Sequence, residues 1–258
     1  MPTCIAYPIV SAGVNPWVPA VAATVGVAAT FGYGVLCNTS PLFAPVISRI
    51  PTAAALALTF DDGPTAQFTA PVLDILDRFS ARATFFLIGE NVEREKSLAK
   101  EIADRGHTIG NHTFHHHHSG TMRGTAYWLN QLTRTGDAIF AATGKRPALF
   151  RAPMGFKTPA QARAVRTLGM TYIGWRQRGF DTLSIPSGTL ATYINRRMRP
   201  GHIVTLHDGL EPARRHLSQQ RTVEALPLIL EHIAATNLRS VSLQEALAFP
   251  TCQITTTR

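Results

Sequence analysis

The 258-residue sequence predicts an α/β protein: a barrel of parallel strands covered by helices, preceded by an apolar helical segment. Three observations carry that prediction. From residue 54 onward, short apolar runs alternate with amphipathic stretches about seven times in one contiguous domain. Strands alternating with helices build a parallel sheet, and seven or eight such units favour a barrel over an open sheet. Polar residues of catalytic type stand directly after the apolar runs, where the loops of a β/α barrel converge on one face. Finally, no Asp, Glu, Lys or Arg occurs before Arg49, so residues 1–50 stand apart from the repeating pattern.

Taken in order, "AALALTF" (54–60) reads as a buried strand and "PVLDILDRF" (71–79) has apolar positions at helical spacing. "ATFFLIG" (83–89) is a second strand, and "EREKSLAKEIADRG" (93–106) a charged helix that stops on glycine. The rhythm repeats with "HTIGNH" (107–112), a helix within 122–142, "LFRAP" (149–153) and a helix in "TPAQARAVRTLG" (158–169). It continues through "TYIGW" (171–175), a helix near 188–198, "HIVTLHDG" (202–209), a helix within 221–236 and "LRSVSL" (238–243). The expected organisation is an apolar segment at 1–50, a catalytic-type domain at 51–250 and a tail at 251–258.

Within the first segment, "WVPAVAATVGVAATFGYGVL" (17–36) reaches the roughly 20 apolar residues that cross a bilayer. It is rich in Ala, Gly and Thr, and it lacks the basic n-region of a cleavable signal. Two readings stay open: a helix inserted in or lying against a membrane, and a helical extension packed on the domain. Arg49, which follows the segment, biases the rest of the chain towards the cytoplasmic side.

Formal net charge is +9 and the pI about 10.1, which fits a nucleic-acid binder, a membrane-surface protein or an enzyme of anionic substrates. The basic residues are spread out, with doublets such as Arg196-Arg197 and Arg214-Arg215 but no polybasic tail. A diffuse field of this kind favours acidic envelope surfaces over a nucleic-acid footprint. Cys4, Cys37 and Cys252 are far apart and form no CxxC, so neither a disulfide framework nor a zinc knuckle is expected.

The candidate site residues are Asp61, Asp62, His112, Arg151 and His207, each just after a strand. Each has a plainer reading alone. "DDG" is a good turn, "HTFHHHH" (112–118) a solvated histidine run, "RAPMG" (151–155) a strand end broken by proline, and "LHDG" (206–209) another turn. Their order along a β/α chain is what argues for one site.

With these residues in view, the sequence resembles the polysaccharide deacetylases of the NodB-homology type (carbohydrate esterase family 4), over roughly residues 54–245. "TFDDG" (59–63) resembles the first family motif, "GHTIGNHTFHH" (106–116) the second, H-[S/T]-x-x-H, "RAPMG" the third and "LHD" (206–208) the fifth. The resemblance implies a distorted (β/α)7-type barrel and a metal-dependent hydrolase that removes N-acetyl groups from an amino-sugar polysaccharide or oligosaccharide. It implies a divalent ion, zinc first and cobalt or manganese as alternatives, on Asp62, His112 and His116; the His112/His116 spacing is expected to place both on one side of a helical turn. His115, His117 and His118 are then bystanders. Asp61 is implied as the base for an attacking water whose pKa the ion lowers from about 15.7 towards 7, Arg151 as its partner and His207 as the acid. The backbone N–H of Met154 is implied as an oxyanion donor, and Asp181 as the acid that tunes His207.

The fourth motif departs from the family's Asp-x-x-Asp-Trp. Arg178, Gly179, Phe180, Asp181 and Thr182 occupy it, no proline follows His116, and Met154 stands where tyrosine is common. An arginine and missing aromatics point to an anionic or smaller substrate. The expected partners are an N-acetylated glycan or a lipid-linked sugar, with no nucleic acid and with membrane association through the N-terminal segment; the expected location is a bacterial-type cell envelope. Two alternatives stand beside this reading: a deacetylase or deformylase of a lipid-linked sugar, and a non-catalytic glycan-binding barrel.

Overall fold

Alternation decides which way the central strand faces. Along Ala55–Asp61 the large side chains of Leu56, Leu58 and Phe60 enter the core beneath the helices, while Ala55 and Ala57 enter a second, inner core. With a side-chain period of two, Thr59 and Asp61 continue the inner face. The strand Ile203–His207 repeats the arrangement: Val204 and Leu206 lie in the outer core, and Ile203, Thr205 and His207 alternate with them.

The computed structural model describes residues 17–214 and 217–248, so the expected tail at 251–258 lies outside the described residues. The elements run α1 (Trp17–Leu36), β1 (Val46–Ile47), β2 (Ala55–Asp61), α2 (Thr69–Arg78), β3 (Ala83–Leu87), α3 (Gly89–Arg94) and α4 (Lys96–Asp104). There follow β4 (Thr108–Asn111), α5 (Thr125–Thr143), β5 (Leu149–Phe150), α6 (Pro159–Thr167), β6 (Thr171–Ile173) and β7 (Gln177–Arg178). The chain continues with α7 (Ser187–Arg197), β8 (Ile203–His207), α8 (Gln220–Ala235), β9 (Arg239–Ser240) and α9 (Leu243–Ala248). The strands pair in parallel in the order β1-β6-β5-β4-β3-β2-β8-β7, with β9 beside the start of β2. This is the expected parallel β/α barrel in distorted form: β1 and β7 end the ladder without pairing to each other.

Several elements differ from the pattern. The single helix expected at 93–106 is two helices, broken at Glu95 (φ −122°, ψ 48°). Its first part is tied to the site loops, since Gly89 and Glu90 donate their N–H groups to Thr113 and Phe114 carbonyls. The second part instead buries Leu98, Ala99 and Ile102 in the outer core. The strands expected at 149–153 and 171–175 contract to two and three residues, and β1, β7 and α9 carry no clear period of their own.

Residues 17–36 of the apolar segment are helical, as expected, and only 6% of their most apolar stretch is buried, with a mean hydropathy of 1.5. The C-terminal end of this helix meets the domain: Phe31 packs on Phe43, the Lys157 backbone N–H donates to the Val35 carbonyl at 3.1 Å, and the Lys157 ammonium donates to the Cys37 and Asn38 carbonyls just beyond the helix, both at 2.9 Å. Only that end of α1 packs on the domain. Cys37 is a free thiol, while Cys4 and Cys252 lie outside the described residues.

Candidate active site and metal centre

Asp61 is the last residue of β2 and pairs in register with His207, the last residue of β8. Both point into the barrel mouth from neighbouring strands. An extended backbone would send the next side chain, Asp62, to the opposite face. Asp62 instead adopts a left-handed conformation (φ 72°), which turns its carboxylate back into the same cleft. That loop is pinned from behind by the Asn91 amide, which donates to the Asp62 carbonyl at 2.8 Å.

Asp62 Oδ1 lies 3.4 Å from Nε2 of His112 and 3.4 Å from Nε2 of His116. The oxygen is buried and makes no hydrogen bond. Atoms bound tetrahedrally at about 2.0–2.1 Å to one zinc lie about 3.4 Å apart, so the three donors fit a cation of that size. The outer nitrogens fix the tautomers. His112 Nδ1–H donates to the Arg151 carbonyl at 2.9 Å and His116 Nδ1–H to Glu211 Oε2 at 3.0 Å, leaving both Nε2 lone pairs facing Asp62. Burial would raise the Asp62 pKa, but His116, His112 and His207 hold it below the usual carboxylate range.

The two histidines do not share a helical turn. Residues 112–117 form a loop in which Thr113 (φ 68°) and His116 (φ 55°) are left-handed, and two reversals rather than helical rise bring the imidazoles to 4.9 Å between centroids. Nor is His118 a bystander, since its Nε2 lies 2.8 Å from the same Glu211 oxygen that holds His116. Arg214 binds the other Glu211 oxygen at 2.8 Å. His115 instead pairs with Glu90 at 2.9 Å, outside the cleft lining.

Asp61 is held apart from this trio. Arg151, fully buried, donates to Asp61 Oδ1 at 2.8 Å and to the Thr59 hydroxyl at 2.7 Å. Its guanidinium lies 4.1 Å from the Phe86 ring and also reaches the Ile173 and Gly174 carbonyls. On the other flank, His207 Nδ1–H donates to Asp181 Oδ1 at 2.9 Å, and the His207 backbone N–H donates to Asp181 Oδ2 at 2.6 Å. The Thr222 hydroxyl completes the Asp181 shell at 2.7 Å. Burial alone would lower the His207 pKa, but the ion pair and hydrogen bond with Asp181 raise it to about 9.

All seven residues singled out in the sequence thus meet around one cleft. Asp61, Asp62, His112, His116 and His207 line it, and Arg151 and Asp181 stand directly behind. Its free space is about 100 Å³. Met154 (φ 57°), Thr182 and Arg178 form the walls together with Trp175, which supplies one aromatic face despite the two that the motifs lack. Sequence reasoning missed Glu211, Thr222, Asn91 and Trp175. His118, set aside as a bystander, did carry a visible signal, its place in the histidine run.

The glycines of "DDG" and "HDG" interlock the two loops. A Cβ on Gly209 would overlap the Asp62 backbone, and one on Gly63 would overlap the Asp208 carboxylate. Gly209→Ala is expected to displace Asp62, costing about 1–3 kcal/mol of stability together with cation binding; calorimetric melting and metal titration check both. Glu211→Gln is expected to weaken cation affinity about 10–100-fold, as loss of a carboxylate behind a histidine ligand does, read by isothermal titration with zinc.

Comparison with known proteins gives the same direction. Residues 49–173 match the family model described as polysaccharide deacetylase. A peptidoglycan-N-acetylglucosamine deacetylase of Bacillus cereus is 32% identical over 196 residues, covering 75% of this chain and 88% of the relative. A chitooligosaccharide deacetylase of Azorhizobium caulinodans is 32% identical over 161 residues, covering 62% and 76%. Among solved structures, the peptidoglycan N-acetylglucosamine deacetylase Bc1960 superposes with a TM-score of 0.71 at 29% identity, over 78% of this chain and 91% of that one.

Proposed function

The chain belongs to the polysaccharide deacetylase family, and from that premise we propose that it hydrolyses the N-acetyl group of an amino-sugar glycan with Asp61 as base and His207 as acid. The observation that carries the reading is the orphaned Asp62 oxygen, equidistant from two imidazoles, beside a second carboxylate that is engaged elsewhere. Asp62, His112 and His116 would hold the cation, and two nitrogens with one oxygen suit zinc, with cobalt and manganese as substitutes. Bound there, the ion supplies Lewis acidity to the acetamide carbonyl and to the attacking water.

The remaining work falls to the chain. Asp61, aimed by Arg151, accepts the proton of the attacking water. The backbone N–H of Met154, set by its left-handed turn at the cleft wall, donates to the developing oxyanion. His207, charged at neutral pH through Asp181, gives its Nε2 proton to the departing sugar amine. A non-catalytic barrel is disfavoured because base, acid and ligand set all stand in place.

The helix α1 spans about 30 Å at 1.5 Å per residue, presents apolar side chains such as Val21, Val25 and Phe31 to its surroundings, and is proposed to hold the domain at an envelope membrane. Acetate release from N-acetylglucosamine oligomers, assayed with zinc, cobalt and manganese in turn, tests the activity. Turnover that is absent with all three, on both soluble and lipid-linked sugars, would refute it.

A further inference from the structure

We propose that a basic, aromatic-walled pocket beside the catalytic cleft binds an anionic group, carboxylate or phosphate, carried next to the N-acetylated sugar. The proposal rests on the deacetylase reading and adds the substrate's charge to it. The pocket, about 370 Å³, opens where the edge strand β7 meets α7, and Arg176, Arg178 and Arg197 line it. Trp175 and Arg178 line both this pocket and the catalytic cleft, so the two are adjacent and share a wall.

Three arginines that pair with no carboxylate among the described residues meet in this one pocket. Arg82, Arg105, Arg146, Arg151 and Arg214 each pair with a carboxylate. Among the described residues no carboxylate pairs with Arg176, Arg178 or Arg197, and the remaining stretches of sequence contain no Asp or Glu. Aromatic faces hold two of them instead. Arg197 lies 4.2 Å above the Tyr193 ring and Arg178 5.6 Å above Phe180, while Phe180 and Tyr193 meet edge to face. Ring contacts orient a guanidinium without neutralising it, so the fork stays available for an oxyanion. The positive field extends along the sheet edge: burial, Arg49, Arg176 and Arg199 push the His202 pKa down. Arg178 also stands where the family motif has an acid, which reverses the charge at this point of the cleft.

Two sources present such an anion. A wall glycan carries it as a carboxylate, and a lipid-linked sugar as a phosphate. Asn38 and Thr39, just beyond the foot of α1, line the same pocket, which with α1 held in a membrane as proposed would stand near the headgroups.

The test compares three N-acetylglucosamine oligosaccharides: one neutral, one with a carboxylate on the neighbouring sugar, one with a terminal phosphate. Wild-type protein is expected to favour one charged substrate at least 10-fold in kcat/KM, and that arm identifies the source. In Arg176→Gln/Arg197→Gln, and separately in Arg178→Gln, the charged-to-neutral ratio is expected to fall about 10-fold, mainly through KM. Equal handling of all three by the wild type, or an equal loss on all three in the variants, overturns the pocket. Calorimetric binding of the same sugars to the Asp61→Asn protein separates the two readings. Charge-selective binding with no acetate release by the wild type refutes the deacetylase reading and leaves the pocket standing, whereas binding without charge preference refutes the pocket.

Discussion

Asp61→Asn is expected to abolish most turnover while leaving the bound cation in place, and Asp62→Asn to strip the cation from the protein. The two residues are neighbours with the same side chain, yet their surroundings divide them. Asp61 Oδ1 spends its lone pairs on Arg151, so its other oxygen is what faces a reacting water. Asp62 Oδ1 has no hydrogen-bond donor and two imidazole nitrogens at 3.4 Å. Losing a general base costs about 10²–10⁴ in rate, and in Asp61→Asn the new amide oxygen still accepts from Arg151. Alanine would be the wrong probe at 61, because a buried guanidinium without its partner destabilises by about 3–5 kcal/mol. Replacing Asp62 removes one of three donors and should weaken the cation by more than the 10–100-fold expected behind a ligand. Elemental analysis alongside acetate release reads both. Metal lost equally from the two variants would show that the acids share one role, and the division of labour between them would be wrong.

Which parts of this site were legible in advance follows from what sequence spacing encodes. Asp61 and His207 end apolar runs, and the barrel rule places all such ends on one face, so their meeting from opposite ends of the domain was predictable. Arg151 was legible for the same reason. The local path of residues 112–117 was not: four-residue spacing suggests a helical turn, whereas two left-handed residues deliver the same proximity by folding the loop back. Nothing in the sequence announces that: threonine, being β-branched, disfavours positive φ, and histidine, though enriched there, still adopts it only in a minority of cases. Glu211 was invisible because its partner His116 lies 95 residues away and neither sits on a periodic element. The break at Glu95 was hidden by a run of good helix formers; the pull of the site loops on α3 overrides their propensity. The short strands β1 and β7 escaped because two residues cannot show a period, and their ladder partners alone define them.

Asp181→Asn is expected to move the alkaline limb of kcat/KM downward by more than one pH unit and to lower kcat at pH 8 about 10²-fold, within the usual range for a lost general acid. His207 has a folded-state pKa of about 9 against about 6.5 when unfolded. Its protonated form is therefore favoured by folding: the stability it contributes is fully present below about pH 6.5 and is lost as pH rises through about 9. Catalysis follows the same proton, since an acid must be charged to protonate the leaving amine. The imidazolium is maintained against burial by Asp181, whose carboxylate takes both the ring and backbone N–H groups of His207. An amide at 181 removes the largest charge that opposes burial and leaves only Asp62 and Asp61 to favour the proton, so it departs at lower pH than in the wild type. A cation on Asp62 also repels this proton and lowers the limb in wild type and variant alike, which makes the difference between them the quantity to measure. Proton NMR of the His207 ring in metal-free protein supplies the second reading, with a titration near 9 that drops in Asp181→Asn. A limb that stays fixed while the rate falls would mean that Asp181 only positions the ring, and the acid would then have to be sought among other groups lining the cleft.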